Sequence, residues 1–136
     1  MVVRELTLEL NMKMKTQKVI LLVDDDIRNI FALQLTLKAR KYNFVSTQNA
    51  MEGLQLLQSN PEIGLVLLDM MMPEMDGYEA IKQIRSSDVY GSVPIVAVTA
   101  NAMSGDKEKC IAAGADDYIA KPIDVDRLMK VIEELL

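Results

Sequence analysis

The 136 residues are enough for one domain with a single core, because 50% of them are hydrophobic and 26% are charged. A net charge of −5 without a basic patch argues against direct nucleic-acid binding, and the apolar runs are far shorter than the roughly 20 residues of a membrane span. One cysteine and no histidine exclude an intrachain disulfide, zinc clusters and any histidine chemistry of the chain's own. No signal-peptide pattern is present, so we expect a cytoplasmic protein that binds no membrane.

The first 17 residues differ in pattern from the rest of the chain. Leucine or methionine alternates with polar residues between positions 6 and 15, and this period of two suits a half-buried strand. We therefore expect an N-terminal extension over residues 1–17, either an extra strand or a disordered leader, ahead of one domain over residues 18–136. As a strand, residues 5–16 would pair with a sheet edge in this chain or in a second copy, which would form a dimer.

From residue 18 onward, apolar runs alternate with helical patterns. The run Val19–Val23 ends abruptly in aspartates, as expected for a strand that is buried on both faces of a parallel sheet. Further strands are predicted at residues 44–47, 65–68, 95–98 and 118–120. Helices are predicted at residues 27–41, at 50–59, after the Asp76-Gly77 turn, from about 103 to Gly114, and from 125 to 135.

Two of the predicted helices carry more specific signals. Asp26 is a candidate N-cap of the first helix, and Gly114 is a candidate C-terminal residue of the fourth. Cys110 lies in the fourth helix and is better explained as a small buried or half-buried residue than as a nucleophile. The first helix has a broad apolar arc formed by Ile27, Ile30, Phe31 and Leu37.

Five such βα units predict an α/β domain with a parallel sheet, right-handed crossovers and helices on both faces. Ligands of these sheets bind beyond the carboxyl ends of the strands, where polar residues follow the apolar runs. Capping or solvation would explain each of these residues alone, but together they indicate one site. Crowded carboxylates repel each other, and ligation by oxygen alone favours Mg²⁺ or Mn²⁺. The polar residues at the strand ends are Asp24, Asp25, Asp26, Asp69, Thr99 and Lys121.

Residues 18–136 resemble the response-regulator receiver domains of two-component signalling. The matching segments are Val23-Asp24-Asp25, residues 68–77, Val98-Thr99-Ala100 and residues 114–122. The amino-acid sequence at residues 28–29 and 76–80 is most similar to that of receivers of hybrid histidine kinases. The resemblance implies a flavodoxin-like (βα)5 three-layer sandwich whose parallel sheet has the order 2-1-3-4-5, and a cis peptide bond between Lys121 and Pro122.

The resemblance also implies the chemistry of the site. Asp69 would be the nucleophile that accepts a phosphoryl group, which makes the chain a phosphorelay switch and not a turnover enzyme. Asp25, Asp69 and the backbone carbonyl of Met71 would hold Mg²⁺, and Asp24 would assist. Lys121 would bind a phosphoryl oxygen and stabilise charge during the transfer.

The implied switch is a shift between two arrangements of the chain. Thr99 would hydrogen-bond the new phosphoryl group, and Tyr118 would then turn inward. The donor would be a histidine kinase, a histidine phosphotransfer protein in trans, or a small phosphodonor. Since only 15 residues follow Lys121, we expect no output domain and a message that leaves by contact of residues 103–136 with a downstream protein. The chain would be a monomer or a weak, phosphorylation-dependent dimer.

Two positions bear on how long phosphorylation lasts. Met71 and Asn101 stand two residues after Asp69 and Thr99, and in this family these positions flank the route of attacking water. Because a methionine cannot orient water by hydrogen bonding, we expect slow self-dephosphorylation.

Three other functions fit parts of the same pattern. A hydrolase of the haloacid dehalogenase type would need a second aspartate at the position of Met71. A flavodoxin-like FMN binder would need a hydroxyl- and glycine-rich loop after the first strand, where this chain has aspartates that repel phosphate. A pseudo-receiver that is never phosphorylated would not need the full set of Asp69, Thr99 and Lys121.

Overall fold

The computed structural model describes residues 18–100 and 105–136, and strands and helices alternate throughout these ranges. The five strands are β1 (Val19–Val23), β2 (Asn43–Thr47), β3 (Ile63–Asp69), β4 (Ile95–Thr99) and β5 (Asp117–Ala120). The five helices are α1 (Ile27–Ala39), α2 (Ala50–Ser59), α3 (Gly77–Arg85), α4 (Asp106–Ala113) and α5 (Val125–Leu135). Every predicted element within the described ranges is present, with ends shifted by a few residues.

All strand pairs are parallel, and the sheet order is β2-β1-β3-β4-β5. This arrangement confirms the predicted α/β fold and its order of strands. The chain moves outward from β1 to β2, returns to β3 on the other side of β1, and then continues outward to β5. The direction of winding therefore reverses at β1 and β3, and ligands of such sheets bind beside this point.

Helices cover both faces of the sheet, which explains why the strands are almost continuously apolar. Ile20 and Leu22 of β1 pack on the side of α1 and α5, whereas Leu21 and Val23 pack on the side of α2, α3 and α4. Cys110 of α4 is fully buried in the apolar core between the sheet and α2, α3 and α4, as predicted. The result is a three-layer sandwich whose loops are free to form a site at the sheet edge.

The beginning of α1 agrees with the sequence, but the direction of its apolar face does not. The Asp26 side chain accepts a hydrogen bond from the Arg28 N–H at 2.9 Å, which confirms the predicted N-cap. Ile30 and Leu37 are buried as part of the face that meets the sheet. Only part of the predicted apolar arc meets the sheet, because Ile27 and Phe31 lie on a neighbouring stripe of the helix and are 65% and 62% exposed.

Several expectations concern residues outside the described ranges. These are the extension over residues 1–17, a pairing through residues 5–16, and the neighbourhood of Asn101.

α1 ends at Ala39 and not at residue 41, since Lys41 takes a left-handed conformation with φ of 64°. The Lys121–Pro122 peptide bond is cis, as predicted. None of the helices in the described ranges combines the length and apolar character that a bilayer crossing requires.

Candidate functional site

The parallel strands bring the predicted polar residues to one edge of the sheet. Asp24 follows β1 directly, Asp69 and Thr99 are the last residues of β3 and β4, and Lys121 follows β5. The carboxylates of Asp24, Asp25 and Asp69 place one oxygen each within 4.8 Å of the others. Residues that are up to 97 positions apart in the sequence therefore meet at one site.

Burial makes this group of carboxylates electrostatically unusual. Asp24 and Asp69 are 4% and 3% exposed, whereas Asp25 is exposed. The Lys121 ammonium lies 3.6 Å from Asp24 Oδ2 and 3.6 Å from Asp69 Oδ1. Because buried like charges are unfavourable without a partner, this ammonium stabilises both carboxylates in the metal-free protein.

The loop between β1 and α1 fixes Asp24. Asp24 Oδ1 accepts a hydrogen bond from the Asp26 N–H at 2.8 Å, and Oδ2 accepts one from Asn29 Nδ2 at 3.5 Å. Both oxygens of Asp24 therefore have hydrogen-bond partners, whereas the neighbouring Asp25 is exposed. The sequence had not assigned a site role to Asn29, although its place in the first turn of α1 puts it next to the strand end.

Asp69 is the carboxylate with the most perturbed acidity. Burial raises the pKa of Asp69 to about 6, and the nearby Asp24 carboxylate also raises this pKa. A hydrogen bond from the Met71 N–H at 3.1 Å and the charge of Lys121 act in the opposite direction. The pKa of Asp69 therefore lies closer to neutral pH than that of an ordinary aspartate, and a bound cation would favour the ionised form.

The residues after Asp69 form a tightly held loop. The Gly77 N–H donates to the Met70 carbonyl oxygen at 3.1 Å, and a Cβ on Gly77 would lie 2.6 Å from Met70 Cα. Only glycine allows this close approach. The Asp76 side chain caps α3 by accepting from the Glu79 N–H at 2.9 Å. The loop leaves the Met71 side chain 66% exposed at the rim of the site.

Thr99 and Lys121 are joined through their backbones, because the Lys121 N–H donates to the Thr99 carbonyl oxygen at 2.8 Å. Thr99 is 2% exposed, and Tyr118 is half-buried two residues before the end of β5. The Tyr118 carbonyl oxygen accepts from Arg127 Nη2 of α5 at 3.0 Å. The ends of β4 and β5 therefore adjoin the acidic group as one connected unit.

A cleft beside Asp25 adds residues that the sequence did not indicate. Its walls include Asn49 and Met51 of the second βα unit and Met72 and Met75 of the loop after β3. Met51 is 51% exposed, so its thioether reaches solvent at the rim. Asn49 and Met51 lie outside the segments that carry the family resemblance, and the packing of α2 against the sheet brings them to the cleft. Met72 and Met75 lie within the matching segment at residues 68–77, but the sequence assigned them no role in the site.

The acidic group fits a hard divalent cation on the chemistry of its donors. All the candidate ligands are carboxylate oxygens within 4.8 Å of each other, and the described residues around them supply no histidine or thiolate. Mg²⁺ and Mn²⁺ prefer oxygen ligands of this kind. The sheet order and this acidic edge together define a flavodoxin-like α/β domain with a candidate divalent-cation site.

Comparison with known proteins identifies the family. The model of the response regulator receiver domain matches residues 20–133. The chain is 34% identical over 120 residues to the polar-differentiation response regulator DivK of Brucella anthropi, and the match covers 88% of this chain and 96% of that protein. The chain therefore belongs to the response regulator receiver domain family of two-component systems.

Solved structures agree with this assignment. The receiver domain of the sensor histidine kinase PA1611 of Pseudomonas aeruginosa, determined with a magnesium ion in its active-site cleft, is 31% identical, with a TM-score of 0.79 and coverage of 87% of this chain and 96% of that one. The receiver domain of Ssk1 of Saccharomyces cerevisiae, solved in complex with the histidine phosphotransfer protein Ypd1, is 29% identical, with a TM-score of 0.78 and coverage of 88% of each chain.

Proposed function

We propose that this chain is a phosphoacceptor switch in which Asp69 receives the phosphoryl group. The observation that carries the proposal is the position of the Asp69 carboxylate, which is buried at the carboxyl edge of the sheet between two other carboxylates and the Lys121 ammonium. An Asp69 oxygen attacks the phosphorus of a phosphohistidine on another protein. The P–O bond of an acyl phosphate forms, the P–N bond breaks, and the imidazole leaves with its electron pair.

The three aspartates and one backbone oxygen would hold the metal. Asp25 and Asp69 would be ligands together with the Met71 carbonyl oxygen, and Asp24 would assist while it remains held by Asp26 and Asn29. When bound, Mg²⁺ offsets the repulsion between the anionic donor and the Asp69 carboxylate. Mn²⁺ satisfies the same donors.

The chain's own cation and hydroxyl complete the site. Lys121 leaves its contacts with Asp24 and Asp69 to bind a phosphoryl oxygen, which stabilises the charge of the transferring group. Thr99 hydrogen-bonds the phosphoryl group, and because its carbonyl accepts from the Lys121 N–H, both strand ends respond together. Tyr118 then turns inward and couples phosphorylation to partner binding.

The proposed partners are proteins with a phosphorylated histidine. The Ypd1–Ssk1 complex and the PA1611 receiver support a donor that is a histidine kinase or a histidine phosphotransfer protein acting in trans. The message passes to a downstream protein through the surface of α4, β5 and α5. We further propose that the chain acts in the cytoplasm as a monomer or weak phosphorylation-dependent dimer. Each chain accepts one phosphoryl group and does not turn over a substrate.

The test is phosphorylation by acetyl phosphate in the presence of Mg²⁺, followed by intact-protein mass spectrometry. We expect one phosphate-sized mass gain that disappears in Asp69→Ala and persists in Asp88→Ala, since Asp88 is an exposed loop residue. Absence of the gain under any donor would favour a pseudo-receiver. Continuous release of phosphate from esters would instead favour the hydrolase, and a yellow purified protein would favour an FMN binder.

A further inference from the structure

α4 is held to the domain by few side chains. The helix has eight residues, and Cys110 is its one fully buried side chain. It begins after Gly105, which has φ of 93° and offers no side chain to cap the first turn. A helix of this length has little stability of its own, so its position depends on the contacts that it makes with neighbouring elements.

One side chain of α3, that of Tyr78, contacts three residues of α4. The Tyr78 hydroxyl donates to Asp106 Oδ1 at 3.4 Å and lies 3.9 Å from Cys110 Sγ. The Lys109 ammonium stands 4.9 Å from the centre of the Tyr78 ring, within the range of a cation–π interaction. Burial raises the pKa of Tyr78 to about 12, so the hydroxyl retains its proton and remains a donor at neutral pH.

Tyr78 also connects the two segments that leave the site. It follows Gly77, whose N–H donates to the carbonyl of Met70 at 3.1 Å, and Met70 is the residue directly after Asp69. On the other side, α4 is joined by a short stretch of chain to Thr99 at the end of β4. Tyr78 therefore connects the first turn of α4 with the loop that follows Asp69.

Among the described residues, the Asp106 carboxylate is partnered through one of its two oxygens only. Asp106 Oδ2 is buried and has no hydrogen-bond partner among the described residues. A buried carboxylate oxygen without a donor raises the free energy of the arrangement that contains it.

We propose that Tyr78 is a positioning residue that clamps α4 in the unphosphorylated chain and thereby opposes the approach of Thr99 to Asp69. The clamp itself is a property of the unphosphorylated fold, whereas its link to Thr99 rests on the proposed function. Phosphorylation and the clamp compete for the position of α4. Loss of the Tyr78 hydroxyl then frees the helix and favours the phosphorylated arrangement.

Hydrogen exchange of the unphosphorylated protein tests the clamp without any phosphodonor. We expect Tyr78→Phe and Asp106→Ala each to accelerate amide exchange in residues 106–113 by about three- to tenfold, because each removes the same hydrogen bond. The double variant should exchange no faster than the single variants, since the bond can be lost only once. Tyr90→Phe is the control, because it removes a hydroxyl from the loop before β4, at the amino-terminal end of that strand.

Three results would overturn the clamp. They are unchanged exchange in α4, additive effects of the two substitutions, and equal acceleration in α4 and in the central strands β1 and β3. The last result would mean that the hydroxyl stabilises the whole fold and does not position one helix.

The proposed effect of Tyr78 on Thr99 has to be tested by a quantity that does not change when the whole fold is merely less stable. Beryllofluoride with Mg²⁺ imitates the phosphoryl group, and ¹⁹F NMR reports its bound fraction. We expect the half-saturating concentration to fall about threefold in Tyr78→Phe relative to wild type. An unchanged half-saturating concentration alongside faster exchange in α4 would overturn the link to Thr99. Failure of the wild-type protein to bind beryllofluoride or to gain phosphate would instead contradict the proposed function.

Discussion

The main-chain N–H of Lys121 donates to the carbonyl oxygen of Thr99 at 2.8 Å, which ties the start of the segment after β5 to the end of β4. This bond fixes the base of the Lys121 side chain, and its ammonium reaches two buried carboxylates of the site. The Lys121 ammonium thus lies in the region where a divalent cation and a phosphoryl group would be bound.

The substitution Lys121→Met should separate metal binding from phosphorylation. Because the ammonium lies 3.6 Å from Asp24 and from Asp69, its removal takes away a repulsion on Mg²⁺, and we expect Mg²⁺ to bind about tenfold more tightly. The same change removes stabilisation of the transferring phosphoryl group, so the rate of phosphorylation by acetyl phosphate should fall about 100-fold. Calorimetric titration and mass spectrometry measure the two effects, with Lys130→Met on the exposed side of α5 as control. Weaker Mg²⁺ binding would contradict the inferred competition.

The acidity of Asp69 leads to a prediction about stability and pH. Its pKa is about 6 in the folded protein against an ordinary value of 3.8, so the folded state binds the proton more tightly than the unfolded state. The free energy of unfolding should therefore fall as pH rises between about 4 and 6, and it should remain low above that range without metal. Asp69→Asn should raise the free energy of unfolding at neutral pH by about 1–2 kcal/mol in metal-free buffer.

Denaturant titrations at several pH values measure this effect. At acid pH, where Asp69 is protonated, the difference between wild type and Asp69→Asn should disappear. Mg²⁺ at neutral pH should stabilise the wild type but not the variant, since it binds the folded carboxylates. Asp88→Asn, which changes an exposed carboxylate, should behave as the wild type does at every pH. A variant that is less stable than the wild type at neutral pH would show that Asp69 is not under electrostatic strain.

Arg85 should make a large contribution to stability without taking part in the chemistry. Its guanidinium donates to the carbonyl oxygens of Gly91, Val93 and Gly114 at distances of 2.6–3.0 Å, and to Asp116 Oδ2 at 2.9 Å. Arg85→Ala leaves these acceptors without their donor, and we expect a loss of about 2–4 kcal/mol in the free energy of unfolding.

A second arginine provides the control for Arg85. The Arg28 side chain is 89% exposed, and its guanidinium meets Asp26 at 3.3 Å on the surface. We expect Arg28→Ala to change the free energy of unfolding by less than about 0.5 kcal/mol. Urea denaturation of both variants gives the comparison, and similar effects would refute the role assigned to the carbonyl contacts.

The lifetime of the acyl phosphate should depend on Met71. Its side chain is 66% exposed beside Asp69 and has no group that can hold water by a strong hydrogen bond, so we expect the phosphate to persist for many minutes or longer. Met71→Asn supplies such a group and should shorten the half-life about tenfold.

Loss of phosphate from the labelled protein is followed by mass spectrometry after removal of the donor. Met51→Asn is the matched control, since Met51 is also a half-exposed methionine near the site but is not adjacent to Asp69. Complete loss from the wild type within seconds would contradict the expected stability.

The positions of the site residues were predictable because strand ends can be recognised in the sequence. Apolar runs that stop at Asp24, Asp69, Thr99 and Lys121 require these residues to share one edge once the strands are parallel. The sequence did not show which stripe of α1 meets the sheet, since Ile27 and Phe31 are as apolar as Ile30 and Leu37. That choice depends on how the helix packs and not on composition.

The contacts between helices were also beyond the sequence. Tyr78 and Asp106 are 28 positions apart, and no motif shows that α3 and α4 bring them together. The ion pair of Lys121 with Asp24 was missed for a related reason. The sequence associated the lysine with the phosphoryl group alone, whereas burial of two carboxylates gives it a partner in the metal-free protein as well.

The acidic edge draws on both the first and the last strand of the sheet. Asp24 follows β1, and Lys121 follows β5, the last of the five strands in the chain. A nascent polypeptide on the ribosome therefore cannot present a competent acceptor until β5 has emerged and inserted beside β4. Incorporation of phosphate at Asp69 consequently requires that β5 has already folded beside β4.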